Sequence, residues 1–327
     1  MNLARVATVA CAAEPVAEST VTAVDGVVKR ITAVYRGWSR STPVAQRRLD
    51  WDALFGNELP ATFAGTRVEP DVAHGVPVQW ITAPNVRQDK VVVYFHGGGF
   101  QVGSLRSHRE LMVRLSAASA CRVLGVDYRL VPEHGFPAPL QDALSVHAWL
   151  AQQGLGGAKL ALAGDSAGGG LALSLLLALR NAAKPLPAAA ALMSPWTDLS
   201  AGGESYTTRS AVDPIHQRPM ILAMARSYLG TDGHGKDRDP CDPLASPLFA
   251  DLQGLPPLLI QVGDRETVLS DSTDFAAKAL AAGVPVQLDV WPGMIHVFQQ
   301  FPNELPQAVA AIASLGQFLN QHLQHST

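Results

Sequence analysis

The chain has 327 residues, of which 47% are hydrophobic and 16% charged, and its formal net charge is -3. That length and apolar content suit one large α/β domain, or a catalytic domain with a smaller lid, and exclude general disorder. A near-neutral chain with no basic stripe and interleaved aromatics excludes a nucleic-acid partner, and the absence of an uncharged apolar run of about 18 residues excludes stable membrane insertion.

In chain order, residues 1 to about 55 read as helical with no strand partner. The opening run, MNLARVATVACAAEP, has one arginine and small residues in the manner of a weak export signal. Thr8 interrupts it and it ends early, so the expected location is cytoplasmic. Cys11, Cys121 and Cys241 are an odd, widely spaced set with no CxxC pair, which reads as free thiols in a reducing compartment and gives no metal site.

From about residue 77, apolar β-rich runs alternate with helical patterns, the signature of a mostly parallel sheet flanked by helices. Strands are expected at Val91 to Phe95, Val123 to Val126, Leu160 to Ala163, Ala189 to Met193, Leu258 to Val262 and Val286 to Val290. Helices are expected at Pro137 to Gln153, Leu171 to Arg180, Met220 to Leu229, Asp271 to Ala282 and Pro306 to His322. Residues 200 to 245 break the alternation, being rich in Gly, Asp, Pro and charge around one short helix. An insertion that adds no strand reads as a lid or binding loop. The N-terminal segment is expected to meet it as a helical cap, the plainer alternative being that it only packs on the sheet edge.

Three strand-end motifs carry chemistry. Gly164-Asp165-Ser166-Ala167-Gly168 fits G-x-S-x-G between a strand and a helix, where a sharp turn lifts a nucleophilic hydroxyl and its neighbours must be nearly free of side chains. His96-Gly97-Gly98-Gly99-Phe100 leaves backbone N–H groups unshielded. Gly98 and Gly99, with the N–H of Ala167, are the expected donors to an oxyanion, while His96 is read as structural. Trp291-Pro292-Gly293-Met294-Ile295-His296 supplies the base a serine needs near neutral pH.

Of the ten histidines, only His296 follows a late strand through a Pro-Gly loop. His322 and His325 read as a frayed tail, His147 as a helix face, and His74, His108, His216 and His234 as exposed loops or helix starts. The acid that fixes the histidine's tautomer is Asp264, Glu266 or Asp271, all following the strand Leu258 to Val262. Asp242 precedes that strand and is a decoy. Asp127, Tyr128, Arg129 and Glu133 read as one polar cluster bracing the oxyanion loop.

These motifs resemble the hormone-sensitive-lipase-like bacterial esterases, the α/β-hydrolase-3 family, over residues 77 to 321. HGGGF at 96 to 100, DYRLVPEHGFPAPLQDA at 127 to 143, GDSAGGGLA at 164 to 172 and GMIHVF at 293 to 298 stand in the family's order, as does the succession nucleophile, acid, histidine. The resemblance implies an α/β-hydrolase fold with a helical cap. Its parts would be an N-terminal cap segment (1–55), a catalytic domain in two parts (56–199 and 246–327), and a cap insertion (200–245).

The departure is at the acid, where the family's Asp-Pro-Leu is replaced by Glu266 followed by Thr-Val-Leu; a subset of relatives reads Glu at this place, which favours Glu266. The implied activity is hydrolysis of short to medium acyl-chain esters through Ser166, Glu266 and His296, with a small-molecule ester as partner and no cofactor. A homodimer through an edge strand would fit lookalikes. Lactone or arylacetamide hydrolysis could use the same triad. A binding protein that keeps the pocket and loses the base, like the plant gibberellin receptor, is disfavoured because His296 is present. Neither glycine loop reads GxxxxGK[ST], which argues against a nucleotide site.

Overall fold

The computed structural model describes residues 17–39, 41–56, 59–231 and 235–324. The N-terminal run read for export, Cys11, His234 and His325 lie outside them. Eight strands form one sheet: β1 (Arg67–Ala73), β2 (Val76–Thr82), β3 (Arg87–Phe95), β4 (Cys121–Val126), β5 (Leu160–Asp165), β6 (Ala190–Met193), β7 (Leu258–Gly263) and β8 (Val286–Trp291), in the order β1-β2-β4-β3-β5-β6-β7-β8. β2 pairs antiparallel with β1 and β4, and the rest of the sheet is parallel.

Every residue of Val91 to Phe95 and of β5 is buried, because helices cover both faces and leave no wet side on which polar residues could alternate. One face packs on α3 (Arg109–Ser119) and α9 (Pro306–Gln324) through Leu111, Met112, Leu115, Ile312 and Leu315. The other packs on α4 (Ala138–Gln152), α5 (Ala167–Asn181) and α8 (Leu269–Ala281) through Leu140, Val146, Leu171, Leu175 and Phe275.

Three of these elements, β1, β2 and α3, are absent from the expected set. β1 contains Pro70, which demotes a strand by pattern alone, yet β1 is an edge strand, where a missing N–H is tolerated. α3 has no cap or breaker to announce it. It approaches α9 closely because residue 316 is glycine: a Cβ there would stand 2.3 Å from the Ala118 Cβ.

β3 lies between β4 and β5, so the chain leaves β3 in one direction through α3 and returns past it through α4, on the opposite face. The carboxyl ends of β3 and β5 therefore flank a topological switch point, where an open α/β sheet leaves a crevice for ligands. HGGGF closes β3 and the G-x-S-x-G turn closes β5, so both motifs open into that crevice.

Over it lie α1 (Glu18–Gly37), α2 (Val44–Phe55), α6 (Ser205–Thr208) and α7 (Arg218–Leu229). Residues 200–245 add no strand to the sheet among the described residues, only the isolated bridge Thr231 to Asp237. α1 is amphipathic. Val24, Val27 and Ile31 on its buried face join Met294, Ile295, Phe298 and Phe301 in a core of their own. Each such side chain contributes roughly 1.5–3 kcal/mol on burial, and the contact fastens α1 to the loop carrying His296. No helix among the described residues is long and apolar enough to cross a membrane.

Candidate active site

Ser166 is the N-cap of α5 and has φ 52° and ψ -120°, a left-handed conformation that is strained for a residue with a Cβ. Its N–H donates to Met193 O at 2.9 Å and its carbonyl accepts Trp196 N–H at 2.9 Å, so β6 and the loop after it hold the turn. Gly168 makes the turn feasible, since a Cβ there would stand 2.1 Å from Phe95 O. Within an otherwise buried run from residue 160 to 176, Ser166 is the partly exposed residue.

His296 Nε2 is 2.9 Å from Ser166 Oγ, and its Nδ1 is 2.6 Å from Glu266 Oε2. With Nδ1–H donating to the carboxylate, Nε2 is left to accept the serine proton. Glu266 is fully buried; its Oε1 accepts the Gly263 N–H at 2.6 Å and the Ser194 hydroxyl at 2.7 Å. Ser194 Oγ in turn accepts the Val297 N–H at 3.2 Å, so one buried hydroxyl ties Glu266 to the residue after His296. Burial pulls the His296 imidazole down, but the charge and hydrogen bond of Glu266, with smaller help from Asp213 and Asp165, outweigh it and leave the group above its ordinary value.

The other candidate acids point elsewhere. Asp264 Oδ1 accepts the Gly293 N–H at 2.8 Å and so fastens the histidine loop. Asp271 accepts the N–H groups of Thr197 and Asp198, both at 2.9 Å, and the Tyr206 hydroxyl at 2.9 Å. Burial, with the charge of Asp198, pushes its carboxyl up to about 8. Asp242 accepts the Leu244 N–H in a local turn.

The glycine loop at 96–100 is fixed from behind. Gly98 has φ +110°, and a Cβ on it would meet Val102 O at 2.2 Å; Gly99 has φ +61°. The N–H groups of Gly98, Gly99 and Ala167 donate to no protein acceptor among the described residues. Asp165 Oδ1 accepts the Gly97 N–H at 3.0 Å and the Tyr94 hydroxyl at 2.5 Å, tying the loop to the residue before Ser166. His96 is buried, stacked on Tyr128 at 4.4 Å, and pushed down to about 3 by burial and by His108.

The expected single bracing cluster is instead three separate ties. The Tyr128 hydroxyl donates to His96 O at 2.5 Å, whereas Arg129 pairs with Asp142 on α4. Glu133 pairs with Arg48 on α2, whose Nε donates to Gln101 O just past the glycines.

Two histidines read as exposed loops or helix starts are buried. His108, at 1% exposure, does begin α3, but its Nε2 stands 3.4 Å from Asp165 Oδ2. His216, at 8% exposure, packs its ring 4.5 Å from that of His296. His322, read as frayed, lies in the last turn of α9, with its ring 4.4 Å from that of Phe318. Sequence reasoning also passed over Ser194 and Asp213. Their one signal is polarity beside proline, in Ser194-Pro195 and Asp213-Pro214, close to a site that must be roofed.

A cavity of about 370 Å³ joins these parts. Ser166, His296, Gly98 and Gly99 form its floor; Tyr35, Trp38, Trp51 and Phe55 from the α1–α2 region, with Met220, Ile221 and Met224 from α7, stand in its wall. No group of three or more potential metal-binding side chains occurs among the described residues.

The alpha/beta hydrolase fold family model matches residues 92–300, and the chain belongs to that family. It is 41% identical over 285 residues to an acetyl-hydrolase of Streptomyces hygroscopicus, covering 83% of this chain and 92% of that one. The crystal structure of an esterase from the bacterial hormone-sensitive lipase family superposes with TM-score 0.86 at 42% identity, covering 92% of this chain and 98% of that one. A structure of EstE5 soaked with p-nitrophenyl butyrate superposes with TM-score 0.82 at 36% identity, over 91% and 98%.

Proposed function

We propose that this chain hydrolyses carboxylic esters of short and medium acyl length, with Ser166 as nucleophile, His296 as general base and then acid, and Glu266 as its orienting partner. The chain is a carboxylic ester hydrolase, in keeping with the esterases and the acetyl-hydrolase it matches over most of its length. The observation that carries the residue assignment is the unbroken line of 2.9 Å and 2.6 Å from Ser166 through His296 to Glu266 at the cavity floor.

Neutral His296 takes the Ser166 proton as Oγ attacks the ester carbonyl. The negative charge that develops on the carbonyl oxygen meets the N–H groups of Gly98, Gly99 and Ala167, whose positions are fixed before substrate arrives. Collapse of the tetrahedral intermediate breaks the bond to the alcohol, which leaves with the proton from His296. Water then repeats the sequence on the acyl-enzyme and releases the acid. Side chains, backbone and water complete the chemistry.

α1, α2 and the 200–245 segment serve as the cap. Their aromatic and methionine wall, in a cavity of about 370 Å³, suits an acyl chain of a few carbons better than a long triglyceride, and the butyrate ester soaked into EstE5 belongs to that class. Cys121 and Cys241 are free thiols, which supports a cytoplasmic setting. β8 ends the sheet with Val290 38% exposed, which supports pairing of two copies along that edge.

The test is turnover of p-nitrophenyl acetate, butyrate, octanoate and palmitate, together with organophosphate labelling read by mass spectrometry. Activity should peak at acetate or butyrate, the adduct should map to Ser166, and Ser166→Ala should lose on the order of 10⁶-fold in kcat. An adduct elsewhere, or substantial turnover by a folded Ser166→Ala, would defeat the assignment.

A further inference from the structure

Asp213 and His216 lie between α6 and α7, and the reaction above uses neither. Both are buried, at 5% and 8% exposure. Asp213 Oδ1 accepts the N–H groups of Ile215 at 2.8 Å and His216 at 2.9 Å, which closes a tight turn and fixes where His216 sits. Its other oxygen reaches out of the segment, accepting the N–H of Thr267 at 2.7 Å and the Thr267 hydroxyl at 3.1 Å. Thr267 directly follows Glu266. The His216 ring meets the His296 ring nearly perpendicularly, at 77°. One turn of the covering segment thus grips the backbone beside the acid and walls in the base.

We propose that the turn Asp213–His216 is a positioning element for the acid–base pair: it holds the Glu266 loop through Thr267 and the His296 ring by direct packing, so that the segment roofing the cavity also completes the triad's alignment. This rests on the ester-hydrolase reading. A base that must keep one nitrogen on the nucleophile and the other on its acid loses rate steeply when either partner drifts. Glu266 is secured from the sheet side by Ser194 and Gly263; Asp213 secures the same loop from the opposite side.

The electrostatics agree with a wall and a distant anion. Burial, with the charge of His296, pushes His216 down to about 3, so at working pH it is a neutral ring and acts by shape. Facing His296 are Glu266 from the acid loop, Asp165 from the end of β5, and Asp213 and His216 from the covering segment. Tyr35 of α1 packs on His216, and burial with the charge of Asp213 pushes its phenol above the ordinary range. Arg265 donates to Val212 O at 3.3 Å, beside the same turn. Asp213 raises His296, so removing its charge lowers the base's pKa and moves the acid limb of kcat/KM to lower pH.

The experiment measures kcat and KM for p-nitrophenyl butyrate against pH, using the full chain and the variants Asp213→Asn, His216→Ala and His216→Phe. Asp213→Asn should lose about ten- to a hundredfold in kcat with little change in KM, and its acid limb should shift to lower pH. His216→Ala should lose kcat in the same range, and His216→Phe, which restores a flat ring, should recover most of it. The histidine pair keeps the test alive if Asp213→Asn does not fold, because it leaves every Asp213 hydrogen bond in place. A folded Asp213→Asn with wild-type kcat and acid limb, a loss confined to KM, or a His216→Phe as poor as His216→Ala overturns the proposal. A wild type inactive on every ester overturns the ester-hydrolase reading instead, so the two failures are distinguishable.

Discussion

The sheet ends and the helices above them reach the same cavity by different physics. At the sheet ends the work is done by backbone: a strained serine turn, glycines whose Cβ positions are already occupied by carbonyls, and amides left without acceptors. In the covering layer it is done by side chains, through a buried carboxylate, a neutral imidazole and a wall of tryptophans. Backbone geometry restricts which residues can stand at a position and so writes itself as a motif, whereas side-chain packing admits many solutions and writes nothing so compact.

The sharpest way to break that contrast lies just after β7, where Glu266 in the loop and Asp271 in the first turn of α8 are both essentially fully buried carboxylates. Glu266→Gln should cost about 10⁴-fold in kcat, because the amide no longer fixes the imidazole tautomer. Asp271→Asn should leave kcat within a few-fold and change stability instead. The Asp271 carboxyl is raised in the folded chain to about 8, against about 3.9 for an unperturbed Asp. Its contribution is therefore fully present below about pH 4 and is lost as pH rises through about 8. Melting temperatures of wild type and variant, compared across that window, should diverge in the variant's favour as pH increases. A pH-independent gap would place the perturbation elsewhere.

A smaller effect is expected at Ser194. Removing its hydroxyl leaves Glu266 Oε1 with the Gly263 N–H alone, so less of the carboxylate's charge is offset by donors and its pull on His296 strengthens, which moves the acid limb of kcat/KM to higher pH. The loss in kcat should be about tenfold or more. Ser194 has φ 45°, so Ser194→Gly removes the hydroxyl while easing the backbone. Equal losses in Ser194→Ala and Ser194→Gly would assign the effect to the hydroxyl, and recovery in the glycine variant would assign it to strain. This shift runs opposite to that expected for Asp213→Asn, so the two tethers of one acid are separable by sign.

The smallest effect belongs to the cavity wall. Met220→Ala should raise KM about three- to tenfold for the longest acyl chain that turns over, with the acid limb unmoved. A moved limb would mean that the wall, too, reaches the base.

The parallel strands and most helices were legible because their apolar runs are long and bounded by glycine and proline. β1 was hidden by Pro70 and by its mostly exposed, polar residues, and α3 by the lack of a cap. Of Ser166, His296 and Glu266, picked out from motif order and family pattern, His296 stands within hydrogen-bond distance of the other two. Glu266 could not be separated from Asp264 and Asp271 by residue type, since all three follow one strand; what separates them is which lone pairs the surrounding amides already occupy. His216 was misread because a histidine in a charged, glycine-rich insertion looks solvated, and only the fold brings it over another ring.

The hydrophobic seam between Val24, Val27 and Ile31 of α1 and Met294 to Phe301 has a bearing on engineering. Chimeras that graft the lid of one hydrolase onto the body of another are designed to change which molecules enter. Here the graft would also exchange the ledge beneath the proton-carrying ring, so a donor helix with a different spacing of apolar residues would alter turnover for every substrate alike. If His296 is the base proposed above, redesigning selectivity without changing speed means leaving that seam untouched.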